Sequence, residues 1–347
     1  MPVRVLIVDD SALIRKVLTE ILSSDPGILV VGTASDPIIA RERIKALSPD
    51  VLTLDIEMPR MDGLSFLRRI MALRPMPVLV VSTLTQKGTD VALQAMELGA
   101  VDYVPKPVLD IQRGMEGLGA ELINKVKLAA AAKPRASQDE RVRSVPLAAD
   151  PRLSTAGRIV AIGASTGGVE TLQRMLTRLP ASAPAILIAQ HMPAGFTSAF
   201  ARRLDAQCAV TVSEATDGRR VLPGHVYIAP GALHLELART GAHYECRLHD
   251  GPLVSGHRPS VDVLFASVAA AAGRNAVGLI LTGMGRDGAT GLLAMRRAGS
   301  RTYGQSEASC LIYGMPKAAM QAGAVEVELP IDRLAEEIVA IRQPETA

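Results

Sequence analysis

Charged residues end three of the apolar runs in the first third of the chain. They are Asp9 and Asp10 after the first run, Asp55 after the third and Lys106 after the fifth. If these runs are strands of a parallel sheet, the charged residues meet at one edge, where such sheets bind ligands. Carboxylates gathered there repel one another unless a divalent cation lies between them, and Mg²⁺ prefers such hard oxygen ligands.

The same residues predict phosphoryl chemistry. A lysine facing the carboxylates would neutralise a phosphoryl group, and an aspartate can accept that group as a nucleophile. Asp55 is the favoured nucleophile, because it ends the central strand and would lie between the metal ligands and Lys106. The alternative, that each aspartate caps a helix or faces water, stays open for Asp9 and Asp10 taken alone.

A serine in a glycine-rich turn is the second candidate centre. IVAIGASTGG (residues 159–168) predicts a buried strand, a tight turn and the start of a helix, with Ser165 in a G-x-S-x-G context. Small neighbours let such a turn expose the hydroxyl, and N–H groups at a helix start can bind an oxyanion. The glycines fit neither a dinucleotide fingerprint nor a phosphate loop. A purely structural turn stays open on this motif alone.

His191 and Asp287 offer Ser165 a base and an orienting acid. His191 ends the run ILIAQH, and Asp287 lies in the glycine-rich turn after the strand of VGLILTGMGRDG (residues 277–288). Neighbouring parallel strands lie about 4.8 Å apart, so the three side chains can meet at one sheet edge. The pattern predicts a serine nucleophile, a histidine general base and an aspartate that orients the histidine. Their order along the chain, Ser–His–Asp, differs from the Ser–Asp–His order of α/β-hydrolases. The other histidines fall on predicted loops or a hairpin and are expected at the surface.

The elements that must position the acidic cluster alternate between strand and helix, which predicts a doubly wound parallel sheet. The strands are apolar on successive residues, as strands buried on both faces are. They are Val3–Val8, Val30–Ala34, Val51–Leu54, Val78–Val81 and Val101–Val104. Asp36 and Pro37 predict the N-cap and first residue of the second helix.

A second α/β region begins near Arg158. Its predicted strands are Ile159–Ile162, Ala185–Gln190, Val210–Val212, Val226–Ile228, Val277–Leu281 and Val325–Val327. Its predicted helices are Val169–Leu179, Val261–Ala272, Gly291–Ala298 and Leu334–Ile341. His234–Arg239 and His243–Leu248 flank a short turn and predict an inserted β-hairpin. The basic, proline-containing stretch before this region predicts a linker that is helical at its start.

Composition excludes several classes of protein. Hydrophobic residues make up 48% of the chain and charged residues 21%, which excludes a disordered protein. Aromatic residues make up 3% and the net charge is +3, which argues against a nucleic-acid-binding surface. Three cysteines without a C-x-x-C motif predict neither a disulfide framework nor a thiolate metal site. No signal peptide or membrane-inserting run is found, so a cytoplasmic location is expected.

Residues 1–121 resemble a response-regulator receiver domain. The resemblance rests on DIEMPRMDG (residues 55–63), Ser82 after the fourth strand and AVDYVPKP (residues 100–107). It implies a flavodoxin-like sheet of order 2-1-3-4-5 and phosphorylation at Asp55. It further implies Mg²⁺ held by Asp10, Asp55 and the Glu57 backbone carbonyl with Asp9 assisting, a switch pair of Ser82 and Tyr103, and Lys106 as the family's lysine.

Residues 153–345, after a linker over residues 122–152, resemble the chemotaxis-specific protein-glutamate methylesterases of the CheB family. The motifs are GASTGG (163–168), QHMPAGF (190–196), ATDGRRVLPGHVYIAPG (215–231), RPSVDVLF (258–265), LTGMGRDGATGL (281–292) and YGMPKAA (313–319). The resemblance implies a Rossmann-like catalytic domain with Ser165 as nucleophile, His191 as base and Asp287 as orienter. It also implies that Thr166 and Met284 shape the environment of the oxyanion and the histidine.

The two resemblances together imply a phosphorylation-activated hydrolase. It would demethylate glutamate esters on the cytoplasmic helices of chemoreceptors, release methanol, and deamidate particular receptor glutamines. The implied partners are those receptors and a chemotaxis histidine kinase, with Mg²⁺ in the receiver and no cofactor for hydrolysis. An unphosphorylated receiver would hinder the serine site through an intramolecular interface. The alternative is a receiver-controlled adaptor without turnover, which the loss of Ser165, His191 or Asp287 would have favoured.

Overall fold

Each of the two units of the computed structural model, Met1–Arg141 and Val142–Ala347, is organised around a parallel sheet. The structure describes residues 1–58, 63–82, 85–106, 115–132, 147 and 157–340. Within these ranges no helix combines the length and apolar character needed to cross a membrane.

The first sheet has the order β2-β1-β3-β4-β5, which confirms the predicted receiver topology. Its strands are β1 (Val3–Val8), β2 (Ile28–Ala34), β3 (Val51–Asp55), β4 (Val78–Ser82) and β5 (Asp102–Pro105). The helices around it are α1 (Ala12–Ser23), α2 (Pro37–Leu47), α3 (Gly63–Leu73), α4 (Gln86–Glu97) and α5 (Met115–Ala131). All neighbouring strands pair in parallel, so the ends of β1 and β3 lie at the same edge.

Side-chain caps start two helices of this unit, and the cap of α2 is the one that the sequence predicts. The Asp36 carboxylate accepts hydrogen bonds from the N–H groups of Ile38 and Ile39, both at 2.9 Å, and Pro37 is the first residue of α2. The Ser11 hydroxyl accepts a bond from Ile14 at the start of α1. These caps satisfy N–H groups that have no partner within the helix.

Helix α5 continues to Ala131 and so enters the segment predicted as a linker. Leu122, Val126 and Ala129 on this helix are buried, and the Lys127 ammonium lies 2.7 Å from the Asp25 carboxylate after α1. Residues 133–146 and 148–152 of the predicted linker lie outside the described residues.

The second sheet is also parallel and has the order β14-β13-β12-β6-β7-β9-β8. Its strands are β6 (Ile159–Ala164), β7 (Ala185–Gln190), β8 (Thr211–Glu214), β9 (His225–Ile228), β12 (Ala276–Ile280), β13 (Arg301–Gln305) and β14 (Val327–Leu329). The predicted hairpin is confirmed as the antiparallel pair β10 (His234–Thr240) and β11 (His243–His249). Because β6 lies between β7 and β12, the turns after these three strands are neighbours.

The helices of the second unit cover its sheet. They are α6 (Gly168–Leu176), α7 (Phe196–Asp205), α8 (Val261–Ala272), α9 (Ala289–Arg297), α10 (Met315–Gln321) and α11 (Ile331–Val339). The sequence prediction missed α7, α10 and β13, and it placed β14 two residues too early. In β13 only Tyr303 is strongly apolar, yet Thr302 and Gln305 are fully buried. The Gln305 side chain accepts a hydrogen bond from the Thr282 N–H at 2.8 Å, so this buried polar side chain fixes the backbone of the loop after β12.

Candidate active site

Ser165 lies in the tight turn between β6 and α6. Its N–H donates to the Thr282 carbonyl at 3.0 Å, and its carbonyl accepts from Gly168 N–H at 2.7 Å. Gly167 caps α6 with φ of +80°, and a Cβ there would meet the Leu311 Cβ at 2.8 Å. The turn therefore needs glycine for both conformation and space, and it leaves the serine partly exposed at a helix N-terminus.

Gln190, the last residue of β7, connects the serine turn to the histidine. Its side-chain amide nitrogen donates to the Ser165 carbonyl at 3.0 Å and to the His191 carbonyl at 3.2 Å. Gln190 is buried. One amide group thus fixes the backbone of both residues, which stand directly after the paired strand residues Ala164 and Gln190.

His191 is bound to Asp287 through one ring nitrogen. The distance from His191 Nε2 to Asp287 Oδ2 is 2.8 Å, and Nε2 carries the proton because its partner is a carboxylate. The other nitrogen, Nδ1, is buried and has no hydrogen-bond partner among the described residues. The described contacts likewise include no hydrogen bond between Ser165 Oγ and His191. Nδ1 is therefore available to accept a proton when the serine approaches.

Asp287 is held by four donors. Besides His191, it accepts bonds from the Ser260 hydroxyl at 2.8 Å and from the N–H groups of Val261 at 2.8 Å and Asp262 at 3.0 Å, at the start of α8. Burial alone would raise the pKa of Asp287. The hydrogen bond from His191, the charge of His191 and the backbone N–H donors together lower that pKa to about 2. The carboxylate is thus ionised and fixed in place, as is required of a residue that orients the histidine.

The acidic cluster of the first unit is formed by Asp9, Asp10 and Asp55. Each offers one carboxylate oxygen, and these oxygens lie within 4.8 Å of one another. The Lys106 ammonium lies 2.6 Å from Asp55 Oδ2 and 3.5 Å from Asp9 Oδ2. The structure thus brings together the four side chains that the sequence places after strands, and the Glu57 N–H donates to Asp55 Oδ1 at 2.9 Å.

The charge of this cluster is suited to a divalent cation. Burial, with the charge of Asp55, raises the pKa of Asp9 to about 6 in spite of Lys106. Burial also raises the pKa of Asp55, although Lys106 opposes the shift. Asp9 Oδ2 is buried without a hydrogen-bond partner in the described part of the chain. A cation would satisfy this oxygen and offset the repulsion, so the donor set fits Mg²⁺.

Comparison with known proteins finds both domain types. The CheB methylesterase family model matches residues 160–338, and that of the response regulator receiver domain matches residues 5–116. A protein-glutamate methylesterase/protein-glutamine glutaminase of Xanthomonas euvesicatoria pv. vesicatoria is 55% identical over 350 residues, 98% of this chain and 97% of that protein. The chain belongs to the CheB methylesterase family.

Other relatives agree with this membership. A protein-glutamate methylesterase/protein-glutamine glutaminase of Escherichia coli is 55% identical over 338 residues, which is 97% of this chain and 96% of that protein. The crystal structure of the Thermotoga maritima CheB methylesterase catalytic domain matches with a TM-score of 0.52 and 36% identity. It covers 53% of this chain and 98% of that chain.

The remaining residues implied by the CheB and receiver resemblances lie on the expected turns and strands. Thr166 is buried, and its carbonyl accepts a bond from the Thr282 hydroxyl at 3.0 Å. Met284 lies on the turn that carries Asp287, and its side chain is exposed.

In the receiver unit the two switch residues are buried. The Ser82 hydroxyl donates to the Gly88 carbonyl in α4 at 3.2 Å. The Tyr103 ring lies below the Lys125 ammonium, which is 4.9 Å from the ring centroid.

One histidine expected at the surface is not there. His234 is fully buried, its Nε2 donates to the Pro252 carbonyl at 2.9 Å, and its Nδ1 accepts from the Ser260 N–H at 3.2 Å. The prediction for His234 was wrong because it judged the residue by its place on the hairpin. His257 is partly buried and stacks on the ring of His191, with centroids 3.7 Å apart. The sequence feature that could have pointed to His257 is the motif RPSVDVLF directly after it, because the helix that begins in this motif binds Asp287.

Replacement of Gly283 with alanine is expected to impair catalysis. A Cβ at residue 283 would lie 2.7 Å from the Ser165 Cβ and 2.4 Å from the Met315 sulfur, so the serine must move. A shift of this kind costs about 100-fold in rate, measured as kcat of ester hydrolysis. Gly119→Ala is the control, since its Cβ would meet only Ile21 at an ordinary 3.5 Å. A Gly283→Ala enzyme with normal kcat would show that the turn is not constrained.

Proposed function

We propose that this CheB family member is a phosphorylation-activated protein-glutamate methylesterase and protein-glutamine glutaminase that acts on chemoreceptors. The His191–Asp287 pair on the sheet edge next to the Ser165 turn carries the proposal. The activities for which the two relatives are named support it, since each relative is 55% identical over nearly the whole chain. These relatives give no support to an adaptor without turnover.

The chemistry follows from the protonation states at the site. Ser165 Oγ attacks the ester carbonyl carbon while His191 Nδ1 takes the hydroxyl proton, and Asp287 stabilises the imidazolium at Nε2. N–H groups at the start of α6 would bind the oxyanion. Methanol leaves with the proton from His191, and a water molecule then hydrolyses the acyl-serine by the same route. A glutamine substrate would release ammonia instead, so one site serves both reactions.

In the receiver unit we propose Asp55 as the residue that is phosphorylated. Asp9, Asp10, Asp55 and the Glu57 carbonyl would hold Mg²⁺, which supplies charge neutralisation for the incoming phosphoryl oxygens. Lys106 would contact the phosphoryl group from the other side, and Ser82 and Tyr103 would change position after transfer. The phosphodonor would be a chemotaxis histidine kinase, and the location of both reactions would be the cytoplasm.

Methanol release from receptor membranes tests the proposed activity. Membranes carrying methyl-labelled receptors are mixed with the full chain and Mg²⁺, with and without acetyl phosphate. Labelled methanol is expected in both samples, at a higher rate with the phosphodonor. Binding of the protein to the membranes without any methanol release would contradict the proposal and favour an adaptor.

A further inference from the structure

A second histidine, His257, packs against the proposed catalytic histidine His191. The rings of His191 and His257 are stacked, with centroids 3.7 Å apart and planes inclined by 14°. The His191 side chain is only 7% exposed, so the second ring covers much of one face. Nothing in the hydrolysis mechanism requires a second imidazole, and its placement therefore calls for a physical reason.

The loop that carries His257 is built as a tight turn. The N–H and carbonyl groups of Val254 and His257 exchange hydrogen bonds of 3.1 and 2.9 Å. Ser255 and Gly256 between them have φ of +53° and +80°, and two such residues in a row are typical of a two-residue hairpin turn. Arg258 donates from its guanidinium to the carbonyls of Asp250 and Gly251 at 2.6 and 2.9 Å. The ring is thus presented from a defined backbone.

The same loop also holds the orienting acid. Three residues after His257, Ser260 begins the series of donors that bind Asp287. The histidine χ2 torsion has broad energy wells, so its rotamer alone does not fix the plane of the imidazole. Asp287 holds the ring at Nε2, and a flat group against its face removes the remaining rotation about that contact.

We propose that His257 is a positioning residue for the ester hydrolysis of the proposed function. Its ring fixes the plane of His191, so that Nε2 stays on Asp287 while Nδ1 faces the attacking serine. His257 acts through its flat, uncharged shape and transfers no proton itself.

The charge state of His257 agrees with this role. Burial lowers the pKa of His257 to about 4; the charge of His191 acts in the same direction, and Asp287 opposes it. His257 is therefore neutral at physiological pH, when His191 takes the serine proton and becomes a cation. A positive charge on the stacked ring would oppose that proton transfer.

Three substitutions of His257 separate shape, charge and proton transfer. Phosphorylated full-length variants are assayed for methanol release, with kcat and KM measured separately. His257→Phe keeps a flat neutral ring and is expected to retain kcat within about threefold. His257→Ala removes the ring and should lower kcat about 10- to 100-fold with KM little changed. His257→Arg keeps a flat group but adds a permanent charge, and we expect a larger loss than in alanine.

The outcomes are distinguishable. A His257→Phe enzyme as slow as His257→Ala would show that a ring nitrogen is needed, and it would overturn the positioning role. Full activity in all three variants would also overturn it. The pH dependence of kcat in His257→Phe should match that of the unmodified chain above about pH 5, because His257 is uncharged there. If the unmodified chain releases no more methanol than Ser165→Ala, the proposed function itself fails.

Discussion

Ser165→Ala is expected to abolish methanol release from methylated receptors. The change removes the hydroxyl oxygen that attacks the ester. Loss of a member of such a triad costs on the order of 10⁴- to 10⁶-fold in kcat. His191→Ala should be nearly as damaging, and the double variant should lose little more, because the two residues act as a unit.

The fold of the Ser165→Ala variant should be unchanged. The described hydrogen bonds of Ser165 come from its backbone N–H and carbonyl, which alanine retains. Thermal unfolding should therefore match that of the unmodified chain. Ser198→Ala is the matched control, since among the described residues the hydroxyl it removes donates to the Gly195 carbonyl at the start of α7. Normal turnover in Ser165→Ala would place the nucleophile elsewhere.

Much of the fold could be predicted because its strands are buried on both faces. Leu52 and Leu54 in β3 have no exposed surface, and such apolar runs are visible without tertiary information. The strand β13 was missed for the opposite reason. Its buried polar residues Thr302 and Gln305 resemble those of a loop, and the hydrogen bond that Gln305 accepts from the Thr282 N–H explains why Gln305 lies inside.

The proposed catalytic residues could be predicted because each follows a strand, but the residues that hold them in place could not. The order of neighbouring strands brings Ser165, His191 and Asp287 to one sheet edge. Gln190 and Ser260 act through side-chain hydrogen bonds and His257 through ring stacking, and these contacts depend on loop conformation. No sequence spacing relates His257 to His191, and their stacking is visible only in the three-dimensional structure of the turn at residues 254–257.

Asp55→Asn is expected to abolish phosphorylation of the receiver unit. The asparagine has nearly the same shape but lacks the anionic oxygen that attacks phosphorus. Asp55 Oδ2 lies 2.6 Å from the Lys106 ammonium, so the substitution also removes the negative charge nearest to that ammonium. Incubation with labelled acetyl phosphate and Mg²⁺ should label the unmodified chain and leave Asp55→Asn at background. The increase in methanol release caused by the phosphodonor should disappear with it.

Two controls make the Asp55 prediction specific. Asp50→Asn changes the same side chain just before β3, at the opposite end of the strand, where its carboxylate accepts from the Arg4 N–H at 2.9 Å. An amide oxygen can accept that bond as well, so Asp50→Asn should be labelled normally. Removal of Mg²⁺ by a chelator should block labelling of the unmodified chain, because the carboxylates of Asp9, Asp10 and Asp55 would then repel the approaching phosphoryl anion. Persistent labelling of Asp55→Asn would assign the phosphorylation to another residue.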